Sequence, residues 1–213
     1  MFSIVIPAYN EEKYISLTLD SIKLQNFKDY EIIVVCNGCN DKTSNIAKKY
    51  TKNVIELKEK NVIKAKNKGA SLARYDKIIF LDADTKFNKN NALSKISKQS
   101  KGISTCFFLP DKTSLKYYLF CLAKNIVSLF GAGNGIIICN KKDFTKVSGF
   151  DKNIFPLENR NIIKKIKKIN KFNVVNTFVI TSMRRHENWG FSGLFYWANV
   201  IFFNKKNKYD PIR

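Results

Sequence analysis

Apolar positions recur along the first 100 residues of this chain in two alternating rhythms. Phe2–Ile6 is a short run rich in β-branched residues closed by Pro7, and residues 12–25 then place Tyr14, Ile15, Leu17, Leu19, Ile22 and Leu24 at mixed helical spacing. Tyr30–Val35 is a second apolar run that ends in a polar turn. Residues 41–50 read as a helix, 53–57 as a strand, 62–73 as a helix and Lys77–Leu81 as a strand. Strands that alternate with helices predict an α/β fold built on a parallel, doubly wound sheet. Ligands in such sheets bind beyond the carboxyl ends of the strands, so the informative residues follow each apolar run. They are Pro7-Ala8-Tyr9-Asn10-Glu11-Glu12, then Cys36-Asn37-Gly38-Cys39-Asn40-Asp41, then Asp82-Ala83-Asp84, all expected on one rim.

Beyond the third rim segment the alternation loosens. Ile103–Leu109 reads as a strand, Leu115–Phe130 as a strongly apolar helix, and residues 135–139 as a strand fed by a glycine-rich loop at 131–135. Residues 160–172 put Ile162, Ile163, Ile166, Ile169 and Phe172 on one helical stripe, with Lys164, Lys165, Lys167, Lys168 and Lys171 elsewhere, which predicts an amphipathic basic helix. Residues 173–182 read as a last strand. Trp189–Phe203 is an aromatic run between Arg184-Arg185-His186 and Lys205, Lys206 and Lys208, and its 15 residues fall short of the roughly 20 of a spanning helix. This run and the 115–130 helix have two readings: packing on the core, or lying in a bilayer interface with aromatic rings at headgroup level and lysines on anionic lipid. The flanking lysines favour peripheral membrane contact for 189–203. With no Pro/Gly/Ser-rich linker and no internal repeat, the chain is expected to form one domain over residues 1–182, with a basic, aromatic, helical appendage at 183–213.

Composition narrows the class. Of 213 residues 45% are apolar and 26% charged, values of an ordinary folded domain, which excludes fibrous, disordered and disulfide-scaffold chains. The net charge is +21, and residues 160–213 hold twelve Lys and Arg against two acidic residues. That field favours polyanionic partners such as nucleic acid, phosphorylated ligands or anionic lipid, unless the lysines simply cover solvated faces. No nucleic-acid reader motif is present, so no specific nucleic-acid partner is expected. The five cysteines are odd in number and mostly isolated in apolar runs. With a strand rather than a secretory leader at the start, they predict reduced thiols and a cytoplasmic protein, peripheral at the membrane's cytoplasmic face if it binds there. Cys36 and Cys39 have C-x-x-C spacing but no second pair to complete a zinc site.

Asp82 and Asp84 follow an apolar strand, and two carboxylates so placed can converge on one hard cation, with room left for phosphate oxygens and water. A turn or helix cap explains such a pair equally well in isolation. Its position beside two other polar turns, in a basic chain, favours the cation, Mn²⁺ or Mg²⁺.

These segments resemble the family 2 glycosyltransferases, whose fold is the Rossmann-like GT-A type. Ser3–Glu12 resembles that family's opening strand and nucleotide loop, and Tyr30–Val35 followed by Asn37-Gly38-Cys39-Asn40-Asp41-Lys42-Thr43 its second strand and D-D/N-G-S-x-D-x-T turn. Ala65-Lys66-Asn67-Lys68-Gly69 resembles its A-R-N-x-G helix, and Ile78–Asp84 its D-x-D strand. Phe144, Val147, Ser148-Gly149-Phe150-Asp151 and Glu158 echo, more loosely, its acceptor-side segment, and Thr181-Ser182-Met183-Arg184-Arg185 a late S-x-R-R segment.

The resemblance implies a nucleotide-diphosphate sugar as donor and a metal-assisted, inverting transfer to a glycan or lipid-linked acceptor such as a polyprenyl phosphate. Residues 1–100 would be the nucleotide-sugar half and 101–182 the acceptor half. Pro7, Ala8, Tyr9, Glu11 and Asn37 would line the nucleotide, Lys66 and Asn67 would lie near the phosphates, and Asp82 and Asp84 would hold the ribose and the metal. Arg184 and Arg185 would contact the diphosphate, and His186 would be a further metal ligand or a solvated surface histidine. Two departures matter. The first Asp of the second turn is Cys36 here, and the family's E-D pair reads Glu158-Asn159. An amide cannot take a proton from an acceptor hydroxyl, so Glu158 or Asp151 is the base, or the acceptor is already an anion, or the chain is a non-catalytic sugar-nucleotide module. A basic nucleic-acid-binding protein is the remaining alternative.

Overall fold

A computed structural model describes residues 1–187 apart from 132, 134 and 156 and the side chain of Arg185. The strands are β1 (Phe2–Ala8), β2 (Tyr30–Asn37), β3 (Val54–Leu57), β4 (Lys77–Leu81), β5 (Thr85–Phe87), β6 (Ile103–Pro110), β7 (Ile136–Asn140) and β8 (Phe172–Thr181). The helices are α1 (Ile15–Lys23), α2 (Thr43–Lys48), α3 (Val62–Leu72), α4 (Ala92–Gln99), α5 (Leu115–Leu129), α6 (Lys141–Lys146) and α7 (Glu158–Lys167), followed by a 3-10 turn, Arg184–His186. The strands form one sheet in the order β3-β2-β1-β4-β7-β6-β8-β5. Strands β1 to β4 are mutually parallel. The sheet as a whole is mixed, because β7 runs antiparallel to β4 and β6, and β5 antiparallel to β8, while β6 and β8 are parallel.

Strand β1 shows why these runs pair as they do. All seven of its residues are buried, as in a parallel strand covered on both faces. Its pleat sends Phe2, Ile4, Ile6 and Ala8 into one core with Ile15, Leu19 and Ile22 of α1 and Leu93 and Ile96 of α4. Val5 points the other way, into a second core with Ile63 of α3, Phe144 of α6 and Ile162, Ile163 and Ile166 of α7. The result is helix layers on both faces of the sheet. Helix α3 approaches β1 so closely that a Cβ on Gly69 would lie 2.2 Å from Val5 Cγ1, which explains the glycine of the A-K-N-K-G segment.

Several elements depart from the sequence pattern. The sequence reading gave no element for β5, α4 or α6. Helix α2 starts at Thr43 rather than at 41, because the Asp41 carboxylate accepts the Thr43 backbone N–H at 2.9 Å. Helix α7 starts at Glu158 and stops at Lys167, leaving Ile169 off the buried stripe and 40% exposed. Helix α5 buries Phe120, Cys121 and Ser128 and turns most of its apolar residues outward. Among the described residues no helix is long and apolar enough to cross a membrane. The aromatic run 189–203, and the appendage beyond residue 187, lie outside the described residues.

Candidate functional site

The strand order changes direction at β1: β2 and β3 lie on one side of it and β4 on the other. Such a switch point leaves a crevice at the carboxyl ends of the two flanking strands, and the first and third rim segments meet there. The loop after β1 reverses through Asn10, which holds a left-handed φ of 52°. Asparagine tolerates that conformation better than most residues, and here its side chain also accepts the Asn40 backbone N–H at 2.9 Å.

Hydrogen bonds then stitch this loop to the turn after β2. Glu11 N donates to Thr43 Oγ1 at 2.7 Å, Glu12 N to Asp41 Oδ2 at 3.1 Å, and Lys42 N to Glu12 Oε2 at 3.2 Å. Burial pushes the Asp41 carboxyl up, but donors from the Thr43 hydroxyl and from the Thr43 and Glu12 backbones outweigh it and hold the group below its ordinary value. Asn37 is 1% exposed. Its Nδ2 donates to Ala8 O at 2.8 Å, and its Oδ1 is buried without a hydrogen-bond partner.

Pro7 and Ala8 are buried at the end of β1, and the Lys60 ammonium sits 4.4 Å over the Tyr9 ring. Cys36 is 1% exposed and belongs to the core beneath the rim. Its thiol donates to Cys39, which draws Cys39 down to about 7 and pushes Cys36 up. Cys39 in turn donates to Ala8 O at 3.4 Å. All five cysteines are free thiols.

The Asp82-Ala83-Asp84 segment is held from several directions. Asp82 N donates to Gly135 O at 2.8 Å, Ser182 N donates to Asp84 O at 3.1 Å, and the Thr18 hydroxyl donates to Ala83 O at 2.7 Å. The Asp84 side chain is 7% exposed and accepts Arg184 Nη2 at 3.0 Å. The same nitrogen donates to both Glu11 oxygens, at 2.6 and 2.7 Å, and the guanidinium lies 4.4 Å over the Tyr14 ring. Two carboxylates from different rim segments therefore share one cation brought by the C-terminal 3-10 turn. That turn is itself anchored, since Met183 N donates to Asp111 Oδ1 at 2.8 Å. A cleft of about 310 Å³, counting the solvent at its mouth, opens beside Asp84 and is lined by Tyr14, Leu17, Lys86, Asp111 and Ser182 among others.

A divalent cation suits this donor set. The guanidinium already stands where positive charge is required between Glu11 and Asp84, and carboxylate oxygens are the ligands Mn²⁺ and Mg²⁺ take. No group of three His, Cys, Asp or Glu able to hold a metal occurs among the described residues. A metal here would draw the rest of its coordination from water and ligand oxygens. His186 is thus not gathered with Asp82 and Asp84 into a three-ligand set; its ring lies 4.3 Å from that of Phe120, between centroids. The side chain of Arg185 lies outside the described residues.

The structure places the other expected residues differently from a phosphate site. Lys66 is 1% exposed, and its ammonium is held by Glu158 Oε1 at 3.1 Å and Asn159 Oδ1 at 2.9 Å, over the Phe150 ring at 5.2 Å. A buried, paired ammonium offers no charge to a phosphate on the open rim. Asn67 is also engaged: its Nδ2 donates to Phe150 O at 2.9 Å and its Oδ1 accepts Phe150 N at 3.0 Å. Gly149 makes this approach possible, since a Cβ there would meet Asn67 Oδ1 at 2.7 Å. Glu158 Oε2 is buried without a hydrogen-bond partner. Asp151 accepts Asn153 N at 3.0 Å and closes a turn.

Comparison with known proteins follows this geometry. Residues 3–105 match the sequence model of the family described as glycosyl transferase family 2. The match stops just short of half of the chain, and over that stretch the chain is similar to that family. Over 101 residues it is 35% identical to 4,4'-diaponeurosporenoate glycosyltransferase of Staphylococcus haemolyticus, a match covering 44% of this chain and 27% of that protein. Two solved structures share the fold. One is Staphylococcus aureus TarS in complex with UDP-GlcNAc, with a TM-score of 0.69 at 19% identity over 85% of this chain and 58% of that one. The other is the mannosyltransferase PcManGT of Pyrobaculum calidifontis in complex with GDP-Man and Mn²⁺, with a TM-score of 0.72 at 15% identity over 94% and 61%. The chain thus spans about a quarter of the first protein and about three fifths of the two solved chains. The stitched turns and the Asp82–Asp84 segment both lie within the matched residues 3–105. The match does not extend to Arg184, a site residue from beyond that range.

Proposed function

We propose that this chain binds a nucleotide-diphosphate sugar at the β1/β4 crevice and transfers the sugar, with inversion, to an anionic acceptor such as a polyprenyl phosphate. The observation that carries the reading is the convergence of Glu11, Asp84 and Arg184 at the switch point. The donor's nucleotide would lie along Pro7, Ala8, Tyr9 and Asn37. The buried, unpartnered Oδ1 of Asn37 offers an acceptor to a nucleobase N–H, and leaving such an atom unfilled costs about 1–3 kcal/mol. Arg184, and Arg185 beside it in sequence, supply positive charge to the diphosphate. Asp84 and Asp82 would hold Mn²⁺ or Mg²⁺, which when bound neutralises the charge that grows on the leaving diphosphate. The acceptor oxygen forms its bond to the anomeric carbon as the bond to the diphosphate breaks.

The acceptor class rests on the state of helix α7. An amide stands at 159, and the one carboxylate left at this position to act as a proton acceptor, Glu158, is already paired through one oxygen with the Lys66 ammonium and buried at the other. A phosphate oxygen is already ionised and needs none.

The test is thermal-shift binding of UDP, GDP and their sugar conjugates, with and without Mn²⁺, on this chain and on Asp84→Ala. The expected result is a rise in melting temperature that needs Mn²⁺ and is absent in the variant; no shift with any nucleotide sugar defeats the reading. Donor turnover with a polyprenyl phosphate should survive Glu158→Gln, whereas its loss would point to a hydroxyl acceptor with Glu158 as base. The engaged Glu158 also favours a second reading, a non-catalytic sugar-nucleotide module, which predicts the thermal shift without any donor consumption.

A further inference from the structure

We propose that the outward face of helix α5 docks on an anionic lipid bilayer. Helix α5 carries apolar residues on both of its faces. Its 15 residues make a rod of about 22 Å, along which Leu115, Leu119, Leu122, Ile126 and Leu129, with Phe130 just after it, are each 52–79% exposed. At 100° per residue these six side chains fall within one stripe. The opposite side, against the sheet, packs Phe120 and Cys121 into the core beside the buried Ser128 and carries two polar groups as well. Asn125 accepts the backbone N–H of Phe108 at 3.0 Å and donates to its carbonyl at 2.9 Å, in the manner of a neighbouring strand. Lys124 lies over the rings of Phe108 and Phe120, at 5.8 and 5.4 Å. A contiguous apolar stripe of this length turned to solvent marks an interaction surface.

Charge selects the occupant. Residues 112–142 contain five lysines and no acidic residue. Lys116 is exposed on the helix itself, and at its far end Lys167 comes within 3.6 Å of the position a Cβ on Gly131 would take. A second copy of this chain, at net charge +21, would set these lysines against their equivalents. An apolar stripe with a lysine near each end, Lys116 and Lys167, matches an acyl boundary under anionic headgroups, with the helix lying in the plane of the interface. The face is also joined to the candidate site. Phe120 contacts the His186 ring, and Lys112, just ahead of α5, pairs with Glu187 at 2.5 Å. Docking would therefore hold the turn that carries Arg184 close to the lipid surface.

The experiment is flotation of the full chain with vesicles of phosphatidylcholine alone and of phosphatidylcholine with phosphatidylglycerol. The wild-type chain is compared with Leu122→Gln/Ile126→Gln and, as a second variant, Leu119→Gln/Leu129→Gln. Expected are binding that requires phosphatidylglycerol, weakens with salt, and falls at least tenfold in either variant while the melting temperature stays near the parent's. Four results overturn the proposal. Undiminished vesicle binding in both variants would assign the contact to another part of the chain. A dimer that dissociates in the variants and ignores vesicles would assign the face to a second copy. A large drop in melting temperature in both variants would mean that the chain itself covers the stripe. A wild-type chain that ignores anionic vesicles would remove the premise.

Discussion

The two halves of the sheet solve the same packing problem in different ways. From β1 to β4 every pairing is parallel, β1, β2 and β4 are almost wholly buried while the edge strand β3 is not, and the rim above them is tied by side chains that bond to the backbone of a neighbouring turn. Asp41, Thr43, Asn10, Glu12 and Asn37 all act this way. From β7 onward parallel and antiparallel pairings mix, and the polar groups that matter pair with partners far along the chain, as Lys66 does with Glu158 and Arg184 with Glu11. The first region organises its site locally. The second completes it from a distance, and its residues are more exposed to the failure of a single partner.

The sharpest way to break that contrast is at the long-range pair. Lys66 and Glu158 have side-chain exposures of 2% and 11%, and removing one member of a buried ion pair strands the other. Lys66→Met should cost about 3–5 kcal/mol, seen as a lower urea midpoint. A cost near zero would mean that Glu158 finds water or another donor and that the halves are less interdependent than described. Next comes the close approach in the parallel half. Gly69→Ala forces a methyl into Val5 and should destabilise by about 1–3 kcal/mol in the same measurement.

The stitched rim should respond to pH and the helix layer should not. Asp41 is held below its ordinary value of 3.8, so its contribution to folding is present above about pH 4 and is lost as pH falls through its lower, folded value. Asp41→Asn should lose about 1 kcal/mol at neutral pH, and its melting temperature should converge with the parent's in acid. The smallest effect belongs to α5. Leu122→Gln, at a site 57% exposed, should change stability by less than about 0.5 kcal/mol, whereas Phe120→Ala, two residues earlier and 6% exposed, should cost about 3–5 kcal/mol.

Legibility in the sequence follows the same divide. Lys77–Leu81 is a strand with the expected ends, and the rim segments could be found because each follows an uninterrupted apolar run. The three-residue β5 is too short to show a period, and α4 marks itself with little beyond Ala92, Leu93 and Ile96. Strand direction is invisible to hydrophobic pattern, so the reversal of β7 could not be read from Ile136–Asn140. Neither could the partners of Lys66 or Arg184, which lie 92 and up to 173 positions away. For α5 the pattern registered apolar strength but not which face would turn inward. That was decided by Asn125, whose amide meets the free edge of β6 at Phe108. Tyr14, which looked like one more apolar helix position, proved to carry the Arg184 guanidinium on its ring.

The clasp of Arg184 on Glu11 and Asp84 also sets an order of events during synthesis. Chain emerging from a ribosome N-terminus first presents both carboxylates long before the residue that neutralises them has been made. Until position 184 is in place, the two carboxylates lack the guanidinium that bridges them. That turn is therefore a latch whose closing waits on residues made 100 positions after Asp84.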